Sequence, residues 1–364
     1  MNDRKKIIFT GGGTLGSVTP LLAVAAVIRR ADPRTDLVWI GTGSGPESRL
    51  VREAGMEFQA VSSGKFRRYL SGENFLDLFR ILRGFGEAWI LLGRLRAGVV
   101  VSAGGFVAVP VVWAAALRRI PVHIHQMDIG PGLANRLSAP FAASVSVALQ
   151  KSLADFPRQH PVWTGNPVRP ELFTGSAEEA RRLFGLVAGV PTVLILGGGT
   201  GATGLNSLVR AAVPALTPAC QIIHLTGKGK ATGEVAADRY HEIEFLTGEI
   251  RHAYAVADLV VTRAGMGALT ELAALGKPTI IVPMPASHQE DNAAFYGREA
   301  GVPVVDERQV GPDGFAAQIL MLLRSRERLA SIGQSLARLN DPAAAAKLAD
   351  LILKLLRRRS GAFL

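Results

Sequence analysis

The sequence is almost without cysteine. Cys220 is the single cysteine among 364 residues, so a disulfide framework and a metal site built from several cysteines are both excluded. One isolated thiol is typical of a protein that works in a reducing compartment. We therefore expect a cytosolic protein.

Long apolar runs and metal-binding patterns are also missing. No uninterrupted apolar segment reaches the ~18–20 residues of a membrane-spanning helix, and the apolar triplet Ile7-Ile8-Phe9 near the start is too short for a signal peptide. No His, Asp and Glu spacing is typical of a metal site, and no Asp-x-Asp pair occurs. We expect neither a bound metal nor another cofactor.

Basic residues exceed acidic ones, 41 to 30, which gives a net charge of +11. A surplus of this sign favours a phosphorylated substrate, an anionic lipid or a nucleic acid as partner. The motifs below favour the first two, and we expect no nucleic-acid partner. With 48% hydrophobic and 20% charged residues the chain is a folded globular protein.

Short apolar runs alternate with helical patterns along the whole chain, which predicts an α/β fold with parallel sheets. The segment Thr164-Gly165-Asn166-Pro167-Val168-Arg169-Pro170 interrupts this alternation and is typical of a linker. Each half then opens with a strand, a glycine-rich loop and a helix. We predict two doubly wound, Rossmann-like domains facing a cleft, at residues 1–163 and 164–335. Residues 336–364 are predicted to form a helix that packs back on the first domain.

Two glycine-rich loops are candidate phosphate sites. The first spans residues 11–20 and the second residues 197–204, and each lies between a strand and a helix. Backbone N–H groups at such a helix start can hold a phosphate. Neither loop is followed by the Gly-Lys-Ser/Thr of a Walker motif. A plain turn without a ligand stays the alternative for both.

The most informative stretch follows the buried strand at residues 257–261. Gly265 and Gly267 allow a tight turn, and Glu271 falls in the helix that comes next. A carboxylate there can accept hydrogen bonds from a ribose diol, while nearby N–H groups face phosphate. The next strand leads to His288, Gln289 and Asn292, whose polar groups suit sugar hydroxyls. Together they predict the donor site of a nucleotide-sugar transferase.

Two polar residues at the end of another strand are candidates for acid–base chemistry. His125 ends the predicted strand at residues 122–125 and Asp128 follows it, at a strand end where open sheets place their ligands. A core histidine is the alternative for His125. The glycine pair Gly104-Gly105 also ends a strand and is read equally well as a packing feature.

Residues 65–96 combine basic residues with fifteen large apolar ones. This segment is either an amphipathic surface whose aromatics complete the core, or a patch that lies on an anionic membrane. The abundance of apolar residues favours the membrane, because one helix face needs fewer.

In this order, the motifs resemble those of the MurG family of bacterial glycosyltransferases, which add N-acetylglucosamine to a lipid-linked muramyl-pentapeptide. The matching elements run nearly end to end. They are Gly12 to Pro20, Gly104 to Val107, His125 to Asp128, Gly132 to Arg136, Gly165 to Arg169, Gly197 to Ala202, Arg263 to Glu271, and His288 to Ala293.

The resemblance implies the GT-B architecture, an inverting transfer and a position on the cytoplasmic face of the cell membrane. It implies that UDP-N-acetylglucosamine is bound by Thr14, Leu15, Gly16, Asp128, Arg169, Gly199, Thr200, Leu246, Ala268, Leu269, Thr270, Glu271, His288, Gln289 and Asn292. The diphosphate of a polyprenyl-linked muramyl-pentapeptide acceptor would lie against Gly13, Thr14, Gly16 and Ser17. The membrane would be met by Phe66, Arg67, Arg68, Phe75, Phe79, Arg80, Arg83, Phe85 and Trp89.

Three departures from the family pattern concern the catalytic residues. The histidine of the family's first loop is replaced by Ser17, which cannot act as a base near neutral pH. The family's His-Glu-Gln-Asn element reads His125-Gln126-Met127-Asp128 here. We therefore predict Asp128 as the catalytic base, with His125 as its rival. The alternatives are a transferase with another lipid acceptor, such as diacylglycerol, a nucleotide-sugar epimerase, and a binding protein without activity.

Overall fold

The computed structural model describes residues 6–13, 15–43, 45, 47–64, 72–198, 202–235 and 237–361. Its description leaves out the side chains of residues 15, 72–76, 78 and 358–361. The chain folds into two compact units. The first contains the residues up to Pro167 and those from Asp341 onward, and the second is Val168–Asn340.

Twelve strands occur in the described residues. They are β1 (Lys6–Thr10), β2 (Leu37–Thr42), β3 (Glu57–Val61), β4 (Ala97–Ser102), β5 (Val122–Gln126), β6 (Ser144–Val147), β7 (Val162–Trp163), β8 (Thr192–Leu196), β9 (Gln221–Leu225), β10 (Tyr240–Ile243), β11 (Leu259–Thr262) and β12 (Thr279–Ile281).

Thirteen α-helices occur in the same part of the chain, besides four short 3₁₀ helices. They are α1 (Thr19–Ala31), α2 (Glu47–Glu53), α3 (Gly72–Arg94), α4 (Ala108–Leu117), α5 (Leu133–Ser138), α6 (Ala177–Phe184), α7 (Thr203–Leu216), α8 (Ile250–Val256), α9 (Met266–Ala274), α10 (Gln289–Ala300), α11 (Pro312–Leu323), α12 (Arg326–Ala337) and α13 (Ala344–Gly361).

The first unit is built on a seven-stranded sheet in the order β3-β2-β1-β4-β5-β6-β7, and every neighbouring pair is parallel. Its central strands are completely buried because helices cover both faces. The strand order reverses between β1 and β4, which is where open parallel sheets bind ligands. The last helix, α13, belongs to this unit and packs against α1 and β4.

The second unit is a five-stranded parallel sheet in the order β10-β9-β8-β11-β12. Its strand order reverses between β8 and β11. The loops that leave the carboxyl ends of these two strands are therefore the expected ligand loops. They are the second glycine-rich loop and the loop that leads into α9.

Three strands lack the apolar run by which the sequence predicts a strand, and all three lie at sheet edges. β3 and β7 are the two edges of the first sheet, and β10 is one edge of the second. Edge strands are partly exposed, and these three alternate or are short instead of forming an apolar run. Apolar runs mark only strands that are buried on both faces, so the predicted strands are mainly the central ones.

Candidate functional site

Glu271 is the centre of a buried polar group in the second unit. It lies on α9, where its Oε1 accepts a hydrogen bond from Arg169 Nη2 at 3.1 Å and its Oε2 accepts one from the Tyr254 hydroxyl at 2.9 Å. The Glu271 side chain is 12% exposed. Burial raises the pKa of Glu271, while the charge of Arg169 and the two hydrogen bonds oppose that rise. Each carboxylate oxygen has a second lone pair for a ligand hydroxyl.

Arg169 leaves part of its guanidinium unused. Its Nη2 is paired with Glu271, but its Nε is buried and has no hydrogen-bond partner among the described residues. Buried guanidinium donors are normally satisfied, and an anion or a sugar hydroxyl is a suitable acceptor. Tyr254 was not singled out from the sequence, since it lies on α8 and nothing local links it to Glu271.

The start of α9 presents backbone donors. Gly265 precedes the first helical residue, Met266, so the N–H groups of Met266, Gly267 and Ala268 have no acceptor within the helix. The predicted site residues Leu269 and Thr270 do not belong to this set. The N–H of Leu269 donates to Gly265 O, the Thr270 hydroxyl donates to Met266 O at 2.7 Å, and both side chains are buried. Of the predicted run 268–270, Ala268 alone has an N–H group without an acceptor in the helix, and Met266 and Gly267 share this property.

Gln289 and Asn292 hold the loop in front of α9. Gln289 Oε1 accepts the N–H groups of Ala264 and Met284, both at 3.1 Å, and Asn292 Nδ2 donates to Ala264 O at 3.0 Å. The backbone N–H and the carbonyl of Ala264 are thus both held by side chains at the start of α10. Asn292 is fully buried, so its part is to shape the loop, whereas Gln289 and the exposed His288 reach the surface.

A buried ion pair fixes the same loop from the other side. Arg263 donates to the carbonyls of Val282 and Pro283, and its Nη2 lies 2.8 Å from Glu307 Oε2. The Glu307 carboxylate also lies against the first turn of α7, where a Cβ on Gly204 would come within 2.8 Å of it. A larger residue at 204 would displace the Glu307 carboxylate from this position. Glu307 is 44 positions from Arg263, and no sequence motif joined the two.

In the first unit, the loops after β1 and β4 are in direct contact at the strand-order reversal. Gly105 has φ +90°, and a Cβ on it would lie 2.7 Å from Gly12 O. The N–H of Gly13 donates to Glu47 Oε2 at 3.3 Å, so the Gly13 donor predicted for the acceptor diphosphate already has an acceptor. Gly16 is half-buried, and Ser17 is only 6% exposed.

His125 is a core residue. Both ring nitrogens are hydrogen-bonded, Nδ1 with Ser146 Oγ at 2.8 Å and Nε2 with Asn166 Oδ1 at 3.1 Å, and the side chain is 0% exposed. Burial lowers the pKa of His125 to about 4. These contacts argue against His125 as a catalytic base, because neither nitrogen can reach a substrate.

Asp128 is half-buried in the loop after β5, and Gln126 shapes that loop. Gln126 Nε2 donates to Asp128 O at 2.8 Å and to Gly130 O at 2.9 Å, while its Oε1 accepts from Asn135 Nδ2 at 2.6 Å. Asn135 Oδ1 is buried without a hydrogen-bond partner in the described part of the chain. Asp128 is thus on a loop that Gln126 and Asn135 order.

Helix α3 carries the part of residues 65–96 that the structure describes. Phe79, Leu82, Trp89 and Ile90 are 38–62% exposed, and a helix of about 3.6 residues per turn puts them on one side. Arg83 and Arg94 share this side. Phe85 is partly buried, since it packs against the core of the first unit while its ring centroid lies 6.3 Å from that of Trp89. Arg80 and Arg83 pair with Asp77 and Glu87 on the same helix.

Six predicted site residues lie outside the described residues, namely Thr14, Gly199, Thr200, Phe66, Arg67 and Arg68. The side chains of Leu15 and Phe75 are also outside the description. Leu246 is half-buried against the core of the second unit, in the loop after β10. Within the described ranges, no helix is both long and apolar enough to cross a bilayer.

Two family models match the chain. The glycosyltransferase family 28 N-terminal domain matches residues 7–147, and the glycosyltransferase family 28 C-terminal domain matches residues 192–349. A transferase of Lachnoclostridium phytofermentans is 44% identical over 284 residues, which cover 78% of this chain and 79% of the relative. A transferase of Shouchella clausii is 37% identical over 328 residues, which cover 89% of this chain and 92% of the relative. Both are named UDP-N-acetylglucosamine--N-acetylmuramyl-(pentapeptide) pyrophosphoryl-undecaprenol N-acetylglucosamine transferase.

Solved structures of the same architecture include enzymes of two classes. The crystal structure of Acinetobacter baumannii MurG has a TM-score of 0.71 at 25% identity and covers 96% of this chain and 99% of its own. The UDP-GlcNAc 2-epimerase of Neisseria meningitidis, bound to UDP-GlcNAc, also has a TM-score of 0.71. It is 12% identical, and the match covers 96% of this chain and 100% of the epimerase. The epimerase shares the fold alone, whereas the transferases also share the sequence.

Proposed function

The chain belongs to glycosyltransferase family 28 and is a MurG-type, UDP-N-acetylglucosamine-dependent transferase, and on this premise we propose which of its residues carry the reaction. The family transfer moves N-acetylglucosamine from UDP to the lipid-linked N-acetylmuramyl-pentapeptide, giving lipid II. The GT-B fold is the two-unit architecture described above.

The second unit holds the donor in this proposal. Glu271 accepts the ribose hydroxyls, because its carboxylate is oriented by Arg169 and Tyr254 and keeps free lone pairs. The unpaired Nε of Arg169 and the N–H groups at the start of α9 face the diphosphate and stabilise the charge that develops on departing UDP. The single observation that carries the proposal is this Arg169–Glu271–Tyr254 group.

The first unit holds the acceptor. The C4 hydroxyl of the muramyl sugar attacks the anomeric carbon of N-acetylglucosamine, the bond from that carbon to the UDP oxygen breaks, and the configuration inverts. Asp128 takes the proton of the attacking hydroxyl. Two observations support Asp128. It lies on the loop that Gln126 orders, and the rival His125 is buried with both nitrogens engaged.

The exposed side of α3 lies on the membrane that carries the acceptor, at its cytoplasmic face, and the protein associates peripherally. Phe79, Leu82, Trp89 and Ile90 supply apolar area, and Arg83 and Arg94 supply attraction to anionic lipid. Arg118 lies 4.8 Å from the Trp89 ring and adds a further cation at its edge.

The deciding experiment incubates the purified chain with labelled UDP-N-acetylglucosamine and a short-chain lipid-linked muramyl-pentapeptide. Disaccharide formation is expected, with loss on Glu271→Ala and on Asp128→Asn. Unchanged turnover of Asp128→Asn would remove Asp128 as the base. Tight donor binding without transfer to this acceptor would contradict the proposal and favour another lipid acceptor or a binding protein.

A further inference from the structure

Glu47 is a buried carboxylate that the proposed chemistry does not use. It is 0% exposed at the start of α2, and no ion pair to it occurs in the described ranges. Acidic side chains are almost never fully buried unless they are paired or hydrogen-bonded. Hydrogen bonds to the Glu47 carboxylate offset the cost of burying its charge. Oε1 accepts the N–H of Thr42 at 2.8 Å and the Thr42 hydroxyl at 2.5 Å, and Oε2 accepts the N–H of Gly13 at 3.3 Å.

These bonds join the end of β2 to the first glycine-rich loop. Thr42 is the last residue of β2, and Gly13 lies three residues after β1, the strand next to β2. The backbone packs directly on the carboxylate, since a Cβ on Gly12 or Gly45 would collide with its oxygens. The absence of a side chain at both positions therefore leaves room for the Glu47 carboxylate.

The loop is fixed at a second point by Trp39. Its ring Nε1 donates to Gly11 O at 3.0 Å, and this bond is buried. The carbonyl of Gly11 is thus bonded to Trp39 on β2, and the N–H of Gly13 is bonded to Glu47 on α2. Because Gly13 takes a positive φ of 85°, the chain turns sharply there before it enters the 3₁₀ helix Leu15–Ser17.

We propose that Glu47 is a positioning residue for the acceptor: it holds the first glycine-rich loop in the shape that receives the acceptor's diphosphate. Glu47 itself does not touch substrate, because its side chain is completely buried and its carboxylate lies directly beneath the backbone of Gly12 and Gly45. This inference rests on the proposed acceptor site. Its opposite is that the buried carboxylate is itself the anion that fills this loop and repels a diphosphate.

The two alternatives predict opposite changes in the KM for the acceptor when Glu47 is replaced by glutamine. The amide keeps the size of the side chain but loses an acceptor, so the Gly13 N–H is released. We expect the KM for the short-chain lipid-linked acceptor to rise about tenfold, as for a lost hydrogen bond to a charged group. The KM for UDP-N-acetylglucosamine should rise less than the acceptor KM, because most of the predicted donor contacts lie in the second unit and the loop supplies only those of residues 14–16. A fall in the acceptor KM would show that Glu47 opposes the diphosphate, and equal changes in both constants would show a general loss of structure.

The matched control is Glu53→Gln, which changes an exposed acid on the same helix that pairs with Arg49. It should leave both constants unchanged. Amide hydrogen exchange gives a second readout that needs no turnover. In Glu47→Gln the Gly13 amide should exchange faster while the amides of β1 and β2 keep their protection, and unchanged exchange at Gly13 would overturn the inference. Absence of transfer by the unaltered chain would instead refute the proposed function, so the two failures are distinct.

Discussion

At the scale of single residues, Glu271 makes donor binding depend on pH. Burial holds the pKa of its carboxyl above the ordinary value of 4.5. Only the ionised form can accept hydrogen bonds with both oxygens while pairing with Arg169. Donor affinity should therefore be complete at neutral pH and be lost as the pH falls through the raised pKa, before an ordinary glutamate would be protonated.

The variant Glu271→Gln tests this point. It should bind UDP-N-acetylglucosamine about 10- to 100-fold more weakly at neutral pH, the cost of a lost charged hydrogen bond, and its affinity should no longer change with pH in that range. Calorimetric titration at several pH values measures both effects. Glu327→Gln removes an exposed acid of the same unit, on α12, and serves as the control. The same pH dependence in Glu271→Gln would assign the titration to another group.

Gln126 acts through Asp128, and this can be tested by a mutant cycle. Gln126→Met keeps the length of the side chain but removes the two donors to Asp128 O and Gly130 O, so kcat should fall about tenfold. In an Asp128→Asn background the same change should cost little more, because the group that it positions is already lost. Steady-state kinetics of the four proteins measures the coupling. Additive losses would mean that Gln126 only supports the fold.

At the scale of helices and strands, α3 is expected to bind membranes through one side. Phe79→Glu and Ile90→Glu place charges on its exposed side, so flotation with vesicles rich in phosphatidylglycerol should weaken at least several-fold per change. Met321→Glu changes another exposed apolar residue, on α11 of the second unit, and is the comparison. Loss of flotation in all three proteins alike would indicate a diffuse apolar effect instead of a site on α3.

The helices and strands also differ in how well the sequence predicts them. Central strands and the helices between them have apolar runs and periods that identify them, and the glycine-rich loops mark their ends. The edge strands β3, β7 and β10 lack that pattern because they are partly exposed. On α3, Phe79 is exposed whereas Phe85 packs partly against the core, but composition alone put both in one patch.

Partners distant along the chain explain the rest of what was missed. Arg169 and Glu271 are 102 positions apart, and each was found through a motif of its own. Tyr254, Glu307 and Glu47 belong to no motif, and they gain their roles only when the sheets bring distant loops together. His125 was ambiguous for a related reason, since Ser146 and Asn166, which engage its ring, come from other segments.

At the scale of the whole molecule, α13 should stabilise the first unit and not the second. Its Leu348 and Ile352 are completely buried, so Leu348→Ala should cost about 2–5 kcal/mol. Calorimetry with and without UDP-N-acetylglucosamine identifies the affected unit, because the donor raises the transition of the unit that binds it. Only the other transition should fall in Leu348→Ala, and Lys354→Ala, an exposed change on α13, should move neither. A fall of both transitions would show that the units do not unfold independently.

The position of α13 at the end of the chain also affects how the protein is made. The ribosome completes the seven strands of the first sheet early, yet the surface of α1 and β4 that α13 covers must wait for the synthesis of Val168–Asn340. At roughly 5–20 residues per second this delay lasts on the order of ten to thirty seconds. During that interval the nascent first unit exposes apolar surface, while the second unit is continuous in sequence and can fold as it emerges. The half of the molecule that is translated first is thus the half that is finished last.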